Sequence, residues 1–239
     1  MNLAIDIGNT RTKVGIFNQE NLSTVMTFEN DKTINIAEFV NNFDVQKAII
    51  SSTIEIPEYL LEEFQKVNQH IILDAQTKLP FQNLYSSKET LGKDRLALIA
   101  AANAKYPNQH NLVIGCGTCI TFNFINSKNE FLGGSIHPGL KMRLQAMHTF
   151  TGKLPLISLE SKVELIGNDT KSNMLSGVLL AAGKEIDGMI DEYLVKFPEM
   201  NIIITGGDAD LLVYRLKNEI FAISNFTIIG LNHILQYNA

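Results

Sequence analysis

The sequence predicts an α/β protein made of two similar halves, each built on a mixed β-sheet. Two observations carry this prediction. Strand patterns alternate with helix patterns along the chain, and an opening of three strands with a glycine-containing turn occurs within residues 2–28 and again within 112–136. The chain has 239 residues, enough for two halves of about 110 to 120 residues. We expect a first half over residues 1–107 and a second half over 108–239.

The first half is expected to begin with three strands and to continue with alternating helices and strands. The predicted strands lie at 2–8, 12–18, 22–28, 47–51 and 70–73, and the predicted helices at 33–41 and 57–67. Residues 94–106 are rich in alanine and leucine and predict a helix that Pro107 ends. The boundary between the halves is therefore expected at 106–110.

The second half repeats the opening of the first. Strands are predicted at 112–114, 119–126 and 130–136, with a tight turn at 115–118. The elements expected after them are helices at 138–149 and 171–196, a strand at 201–205, a helix at 208–218, a short strand at 226–229 and a terminal helical segment.

Composition excludes several classes of function. The 20 basic and 25 acidic residues give a net charge of -5, and no basic stripe interleaved with aromatic residues indicates a nucleic-acid partner. No apolar stretch approaches the roughly 20 residues that span a bilayer, and the first residues resemble a strand rather than a secretory leader. We expect a cytoplasmic protein with no nucleic-acid or membrane partner.

The two cysteines, Cys116 and Cys119, have the C-x-x-C spacing of redox and zinc sites. A redox pair of this kind opens a helix, whereas Cys119 leads into an alternating strand pattern. A structural zinc site needs four ligands, and no second cysteine pair is present, although His137 could lie nearby. We therefore interpret both cysteines as packed small residues.

An aspartate beside a tight turn near the amino terminus is the strongest functional signal. Asp6 ends an apolar strand pattern, Gly8 allows backbone N–H groups to approach a phosphate, and Lys13 offers a cation. Asp6 could hold Mg²⁺ directly or through water. The predicted phosphate-binding residues are Asp6, Ile7, Gly8, Asn9, Thr10, Arg11, Thr12 and Lys13. The alternative is an ordinary hairpin in which Asp6 is a turn residue.

A second candidate lies where a loop meets the helix predicted at 94–106. Asp94 and Arg95 can project from the start of that helix, and Gly92 permits the preceding turn. Asp94 is either a proton acceptor or a plain helix cap, and the residue types alone leave both open.

Six short motifs, in this order, resemble the type III pantothenate kinase family of the actin and sugar-kinase superfamily. The resemblance covers essentially the whole chain. The motifs are residues 6–13 (DIGNTRTK), 92–95 (GKDR), 117–118 (GT), 133–139 (GGSIHPG), 167–170 (GNDT) and 205–207 (TGG).

The resemblance implies two actin-like, ribonuclease H-like halves with a nucleotide cleft between them. It further implies transfer of the γ-phosphoryl group of ATP to pantothenate, the first step of coenzyme A synthesis, with Mg²⁺ on the triphosphate. Asp94 is then the general base, and Thr118 an ATP contact. The implied pantothenate-binding residues are Tyr85, Gly92, Lys93, Asp94, Arg95 and Thr170. Family members are homodimers, and we expect residues 96–104 at the two-fold interface.

One position departs from the family pattern. The second hairpin turn usually reads Asp-x-Gly-Thr in the family, and that aspartate helps to bind a monovalent cation such as K⁺ or NH₄⁺. Gly115 occupies the position here, so the ligand is missing and we expect weak or absent potassium activation.

Two alternatives remain at this level. Gly115 favours a catalytically weakened relative that acts as a binding or regulatory accessory protein, whereas Asp6, Asp94 and Arg95 argue against it. The other alternative is a kinase of the superfamily that acts on another small hydroxylated substrate, such as a sugar. The Gly-x-Asp-Arg motif discriminates against this second alternative.

Overall fold

The computed structural model describes residues 1–30 and 36–239. Contacts group the chain into two compact units. The first unit comprises Met1–Asn108, Ile125–Gly133 and Asn225–Ala239, and the second comprises Gln109–Phe124 and Gly134–Ser224. The predicted division at residues 107 and 108 concerns internal duplication, which this grouping does not test, and it stays a prediction.

Eleven strands and eight α-helices are described. The strands are β1 (Asn2–Ile7), β2 (Arg11–Asn18), β3 (Asn21–Glu29), β4 (Lys47–Ser52), β5 (Gln69–Ile72), β6 (Gln82–Asn83), β7 (His110–Cys116), β8 (Cys119–Ile125), β9 (Glu130–Pro138), β10 (Met200–Thr205) and β11 (Phe221–Ala222). The helices are α1 (Ile36–Phe43), α2 (Glu58–Gln65), α3 (Lys93–Lys105), α4 (Leu140–Phe150), α5 (Thr170–Leu175), α6 (Ala181–Lys196), α7 (Ala209–Val213) and α8 (Phe226–Tyr237).

Strand order confirms the predicted pair of similar halves. The first sheet has the order β3-β2-β1-β4-β5, and the second has the order β11-β10-β7-β8-β9-β6. Strands β7 to β11 therefore take the places of β1 to β5, with β6 added at one edge. In both sheets the central strand pairs in parallel with the fourth strand of the repeat: β1 with β4 and β7 with β10.

Each unit has its own apolar core. In the first unit, inward residues of β1, β2 and β4 pack against α1 and α2, with Phe64 and Leu60 fully buried. In the second unit, β7 and β8 pack against α4 to α6, with Phe122 fully buried. Burial of these side chains, about 1.5 to 3 kcal/mol each, holds the strand ends that carry polar groups in fixed positions.

The burial of helix α3 contradicts the dimer interface expected at residues 96–104. Arg95 and the residues after it up to Ala102 are at most 4% exposed, because α8 packs along α3 within the first unit. Only Ala104 and Lys105, at the end of α3, are exposed. The prediction that residues 96–104 meet a symmetry mate is therefore wrong: their second apolar face is covered by α8.

Several element predictions also need correction. Residues 226–229, predicted as a strand from their β-branched pattern, begin α8, because a short apolar run is ambiguous and packing against α3 decides. The helix expected at 208–218 is limited to α7, Ala209–Val213. The start of the helix expected at 33–41 lies outside the described residues. Between α5 and α6 a π-helical turn spans Ser176–Leu180, within the helix expected at 171–196.

Within the described residues, no helix has the length and apolar character needed to cross a membrane.

Candidate functional site

The first hairpin places Asp6 beside a turn that is held by hydrogen bonds from Asn30, a residue outside the hairpin. Strand β1 pairs with β2 so that Asp6 lies opposite Lys13, and residues 8–10 form the connection. The Gly8 N–H donates to the Arg11 carbonyl at 3.0 Å. The Asn30 side-chain amide donates to the Gly8 carbonyl at 2.7 Å, and its Oδ1 accepts the Thr12 hydroxyl at 2.9 Å. Asn9 and Thr10 are left exposed at the tip.

Asp6 is half-buried as a residue, and one oxygen of its carboxyl group is buried and unsatisfied. Its neighbour on the other side is Ser51 of β4. Among the described residues, neither Asp6 Oδ1 nor Ser51 Oγ has a hydrogen-bond partner, although both atoms are buried. Burial, and next the negative charge of Asp94, raise the pKa of Asp6 to about 7, against the lowering effects of Lys13 and Ser51. An orphaned buried oxygen of this kind marks a position that a ligand can satisfy.

Asp94 lies in the first turn of α3 with its carboxylate folded toward the helix start. A Cβ atom at the preceding Gly92 would stand 2.5 Å from Asp94 Oδ1, so the carboxylate occupies space that only glycine leaves open. Burial raises the pKa of Asp94, partly offset by the backbone N–H and the positive charge of Arg95. A carboxylate whose pKa is raised in this way is a stronger base than an exposed one.

Arg95 and Tyr85 form an aromatic and cationic cluster next to Asp94. The Arg95 Cζ atom lies 5.6 Å from the Tyr85 ring centroid and 5.9 Å from that of Phe131. The two rings are nearly parallel, with an interplanar angle of 12° and centroids 6.2 Å apart. Cation–π contacts fix the guanidinium plane, and a guanidinium so fixed suits two-point recognition of a carboxylate. Lys93 is half-buried at the same helix start.

The second unit carries Thr118 and Thr170. Thr118 is exposed in the two-residue turn between β7 and β8, and its carbonyl accepts the Gly139 N–H at 3.1 Å. Thr170 is the exposed first residue of α5. It is not the helix cap: the Asp169 side chain accepts the Ser172 N–H in a capping box. Gly115 is half-buried near the end of β7, opposite Thr205 of β10.

Burial makes Cys116 an inert thiol. Burial, and next the charge of Asp208, raise the pKa of Cys116 to about 12, so the thiol is protonated and unreactive at neutral pH. Cys116 is free and buried, and Cys119 is free and half-buried, as expected for packed residues. No cluster of three or more histidine, cysteine or acidic side chains suited to a metal occurs in the described part of the chain.

Ser51 and Asn30 were missed by the sequence analysis. Ser51 comes beside Asp6 through parallel pairing of β1 with β4, and a parallel register leaves no local signal in the sequence. Asn30 follows β3 and reaches back to the first turn. The only available signal was its position just after an alternating strand.

The two similar sheets define a protein of the actin-like fold class. Solved structures share the fold: a Campylobacter jejuni protein described as a conserved Baf family transcriptional activator is 24% identical, covering 99% of this chain and 98% of its own, with a TM-score of 0.58. The inorganic polyphosphate/ATP-glucomannokinase of Arthrobacter sp. strain KM is 13% identical over 99% and 98% of the two chains, with a TM-score of 0.52.

Sequence relatives narrow the class to one family. The sequence profile of the type III pantothenate kinases matches residues 2–192. The type III pantothenate kinase of Bacteroides fragilis strain YCH46 is 41% identical over 239 residues, which is 100% of this chain and 98% of the relative. The chain belongs to the type III pantothenate kinase family, and it is a kinase.

Proposed function

We propose that this kinase phosphorylates pantothenate with ATP, the first step of coenzyme A biosynthesis, and that Asp94 is the base that accepts the hydroxyl proton. The observation that carries the assignment is the half-buried Asp94 carboxyl at the start of α3, with a raised pKa and with Arg95 as its neighbour. The identity of the substrate, pantothenate, is inferred from membership of the type III pantothenate kinase family.

A carboxylate suits the timing of the proton transfer. Phosphoryl transfer passes through a loose transition state, so the attacking hydroxyl loses its proton late and the protein mainly positions it. Burial raises the pKa of Asp94, which makes its carboxylate a stronger base than an exposed one. The Asp94 carboxylate takes the hydroxyl proton as the oxygen attacks the γ-phosphorus.

Asp6 is the proposed holder of Mg²⁺. Its buried Oδ1 without a partner fits a cation that prefers carboxylate oxygen and water. Bound to the triphosphate, Mg²⁺ neutralises charge on the phosphoryl oxygens. The positive charges of Mg²⁺ and Lys13 would also keep Asp6 ionised when ATP is present.

The first turn and Thr118 are proposed to bind the phosphates. Asn9 and Thr10 offer backbone and side-chain donors at the exposed hairpin tip, Gly8 leaves room for a phosphate to approach the backbone, and Lys13 offers a cation. Three further residues of the predicted segment have other contacts: Ile7 is buried, Thr12 donates to Asn30, and Arg11 pairs with Glu29 at 2.9 Å. We therefore expect Ile7 and Thr12 to act through the backbone or by bracing the turn.

Arg95 is proposed to bind the pantothenate carboxylate, with Tyr85 beside it. Gly92 and Lys93 would form the adjoining wall of the pocket. In family members the partner subunit completes this pocket, and we propose Thr170 for that contact. Large exposed apolar side chains at the end of α4 and within the α4–α5 connection support an interface there: Phe150 is 84%, Leu165 79% and Ile166 85% exposed.

We further propose a homodimer in the cytoplasm and a kinase with little need for K⁺. In the family pattern, an aspartate at this position contributes a carboxylate ligand to the cation, and Gly115 has no such group. Without that charge, the remaining carbonyl and water ligands bind a monovalent cation weakly.

A coupled ATP-consumption assay with pantothenate, glucose and acetate tests this function. We expect turnover with pantothenate alone. Turnover of glucose and not pantothenate would favour a kinase for another hydroxylated substrate. Nucleotide binding without turnover of any substrate would favour the accessory-protein alternative that Gly115 suggests.

A further inference from the structure

A hydrogen-bonded cluster in the second unit links β9, α4 and α6. The cluster consists of Ser135, His137, Arg143 and Glu185. Their half-buried positions and short contacts indicate one fixed arrangement: His137 is 18%, Arg143 19% and Glu185 32% exposed at the side chain. Partial burial makes such contacts stronger than surface pairs.

Glu185 of α6 is the centre of this cluster. Its Oε1 accepts His137 Nδ1–H at 2.6 Å and Arg143 Nη2–H at 2.9 Å, and its Oε2 lies 2.8 Å from the same Nη2. Since a carboxylate only accepts, Nδ1 carries the histidine proton. Nε2 then accepts the Ser135 hydroxyl at 2.7 Å when the histidine is neutral.

The order serine, histidine, carboxylate is also that of a nucleophilic triad. Here Arg143 contacts both oxygens of Glu185 and also donates to the Pro138 carbonyl, so the carboxylate is engaged in a contact that holds the backbone. The geometry therefore favours an anchor over a nucleophile.

Arg143 connects the cluster to the start of α4. Its Nε–H donates to the Pro138 carbonyl at 2.9 Å, and its backbone N–H donates to the Gly139 carbonyl at 3.0 Å. The side chain thus bends back over the first helical turn and holds Pro138, while the backbone N–H holds Gly139.

The start of α4 is in turn held against Thr118. The Gly139 N–H donates to the Thr118 carbonyl, and a Cβ atom at Gly139 would lie 2.3 Å from that carbonyl oxygen and 2.4 Å from the Gly117 carbonyl oxygen. Such a close approach requires glycine. Glu185 therefore fixes the Thr118 turn through Arg143, Pro138 and Gly139.

We propose that Glu185 is a positioning residue for nucleotide binding, acting through Arg143 and His137 on the start of α4 and the Thr118 turn. The proposal rests on the proposed ATP contact of Thr118. Glu185 also belongs to the helical stretch that begins at Thr170 and includes the π-helical turn Ser176–Leu180. Turns of this type often occur at functional sites.

The test uses Glu185→Gln, which keeps the shape but removes the charge, and Arg143→Lys, which keeps the charge but removes the Nε contact to Pro138. For both variants we expect the KM for ATP and the Kd for MgADP to rise on the order of tenfold. We expect kcat and the KM for pantothenate to change by less than about threefold. Hydrogen exchange of amides 140–143 should also become faster.

Glu192→Gln provides the matched control, because Glu192 is exposed further along α6; it should change none of these quantities. Folded variants with unchanged ATP KM and MgADP Kd would overturn the proposal. So would equal loss for both substrates together with a lower unfolding temperature, since that pattern indicates a structural role only. If Glu185→Gln fails to fold, Arg143→Lys decides by the same criteria. Wild-type protein that binds MgADP without phosphorylating pantothenate would contradict the proposed function, while MgADP binding and hydrogen exchange would still test Glu185.

Discussion

Replacing Asp6 with asparagine is expected to impair use of MgATP and, at the same time, to stabilise the ligand-free protein. Asp6 lies near a second carboxylate, that of Asp94, and its Oδ1 atom is buried without a hydrogen-bond partner among the described residues. Asparagine preserves the shape of the side chain and removes the charge that is costly to bury. A buried carboxylate oxygen that binds a cation destabilises the folded protein when the cation is absent. Asp6→Asn should therefore lower activity and raise the stability of the ligand-free protein.

The pH dependence of this stabilisation follows from the pKa of Asp6. In the unfolded chain the carboxyl titrates near 3.8, and in the folded protein near 7. The folded state holds the proton more tightly, so stability relative to the asparagine variant falls between about pH 4 and pH 7 and stays low above pH 7. At about 1.4 kcal/mol per pKa unit, the upper limit is about 4 kcal/mol. Water reaching a half-buried group reduces the effect to roughly 2 kcal/mol, or 4 to 8 °C in unfolding temperature.

Thermal unfolding of the ligand-free wild type and Asp6→Asn, measured from pH 5 to pH 9 at constant ionic strength, checks this prediction. The gain of the variant should be roughly two fifths of its final value at pH 5 and reach its plateau above pH 7. Asp210→Asn is the control, because Asp210 is exposed. A variant less stable than wild type at pH 8, or a difference that does not depend on pH, would refute the burial of a charged Asp6.

Three further predictions concern the pocket, the cation and the assembly. Arg95→Lys keeps the charge but loses the planar contact with Tyr85 and the two-point contact with a carboxylate. The KM for pantothenate should therefore rise roughly 10- to 100-fold, with a small change in the KM for ATP. A pantothenate KM equal to that of the wild type in steady-state kinetics would contradict this. Initial rates in K⁺, NH₄⁺, Na⁺ and Tris at matched ionic strength should show weak or absent activation of the wild type and stronger activation of Gly115→Asp. Saturable activation of the wild type at low K⁺ concentration would contradict the interpretation of Gly115. Light scattering should return a dimer at micromolar concentration and a shift toward monomer in Ile166→Ser, because Ile166 is 85% exposed; a fully active wild-type monomer would exclude the dimer.

Local signals predicted the two elements of the candidate site in the first unit. The first hairpin and the start of α3 depend on patterns within a dozen residues: an apolar strand that ends at an aspartate, a glycine at a turn, and Gly92 before a helix. The structure places both where the sequence predicts them. The repeated opening also predicted the two similar sheets, whose strand order the structure confirms.

Contacts between distant parts of the chain could not be predicted in the same way. Helix α8 covers α3 from far along the sequence, so the second apolar face of α3 was interpreted as a dimer interface. Ser51 comes beside Asp6 through a parallel register, and His137 meets Glu185 across 48 residues. Residues 226–229 have β-branched side chains typical of a strand, but packing against α3 decides in favour of a helix.

The most direct test of the central claim is the turnover of Asp94→Asn with pantothenate and ATP. If Asp94 takes the hydroxyl proton, asparagine keeps the shape of the pocket but cannot accept a proton, and kcat should fall roughly 10²- to 10⁴-fold. The Kd for MgADP and the affinity for pantothenate should change little, since binding and proton transfer are separate contributions. Near wild-type kcat in a folded Asp94→Asn protein would contradict the assignment of Asp94 as the base.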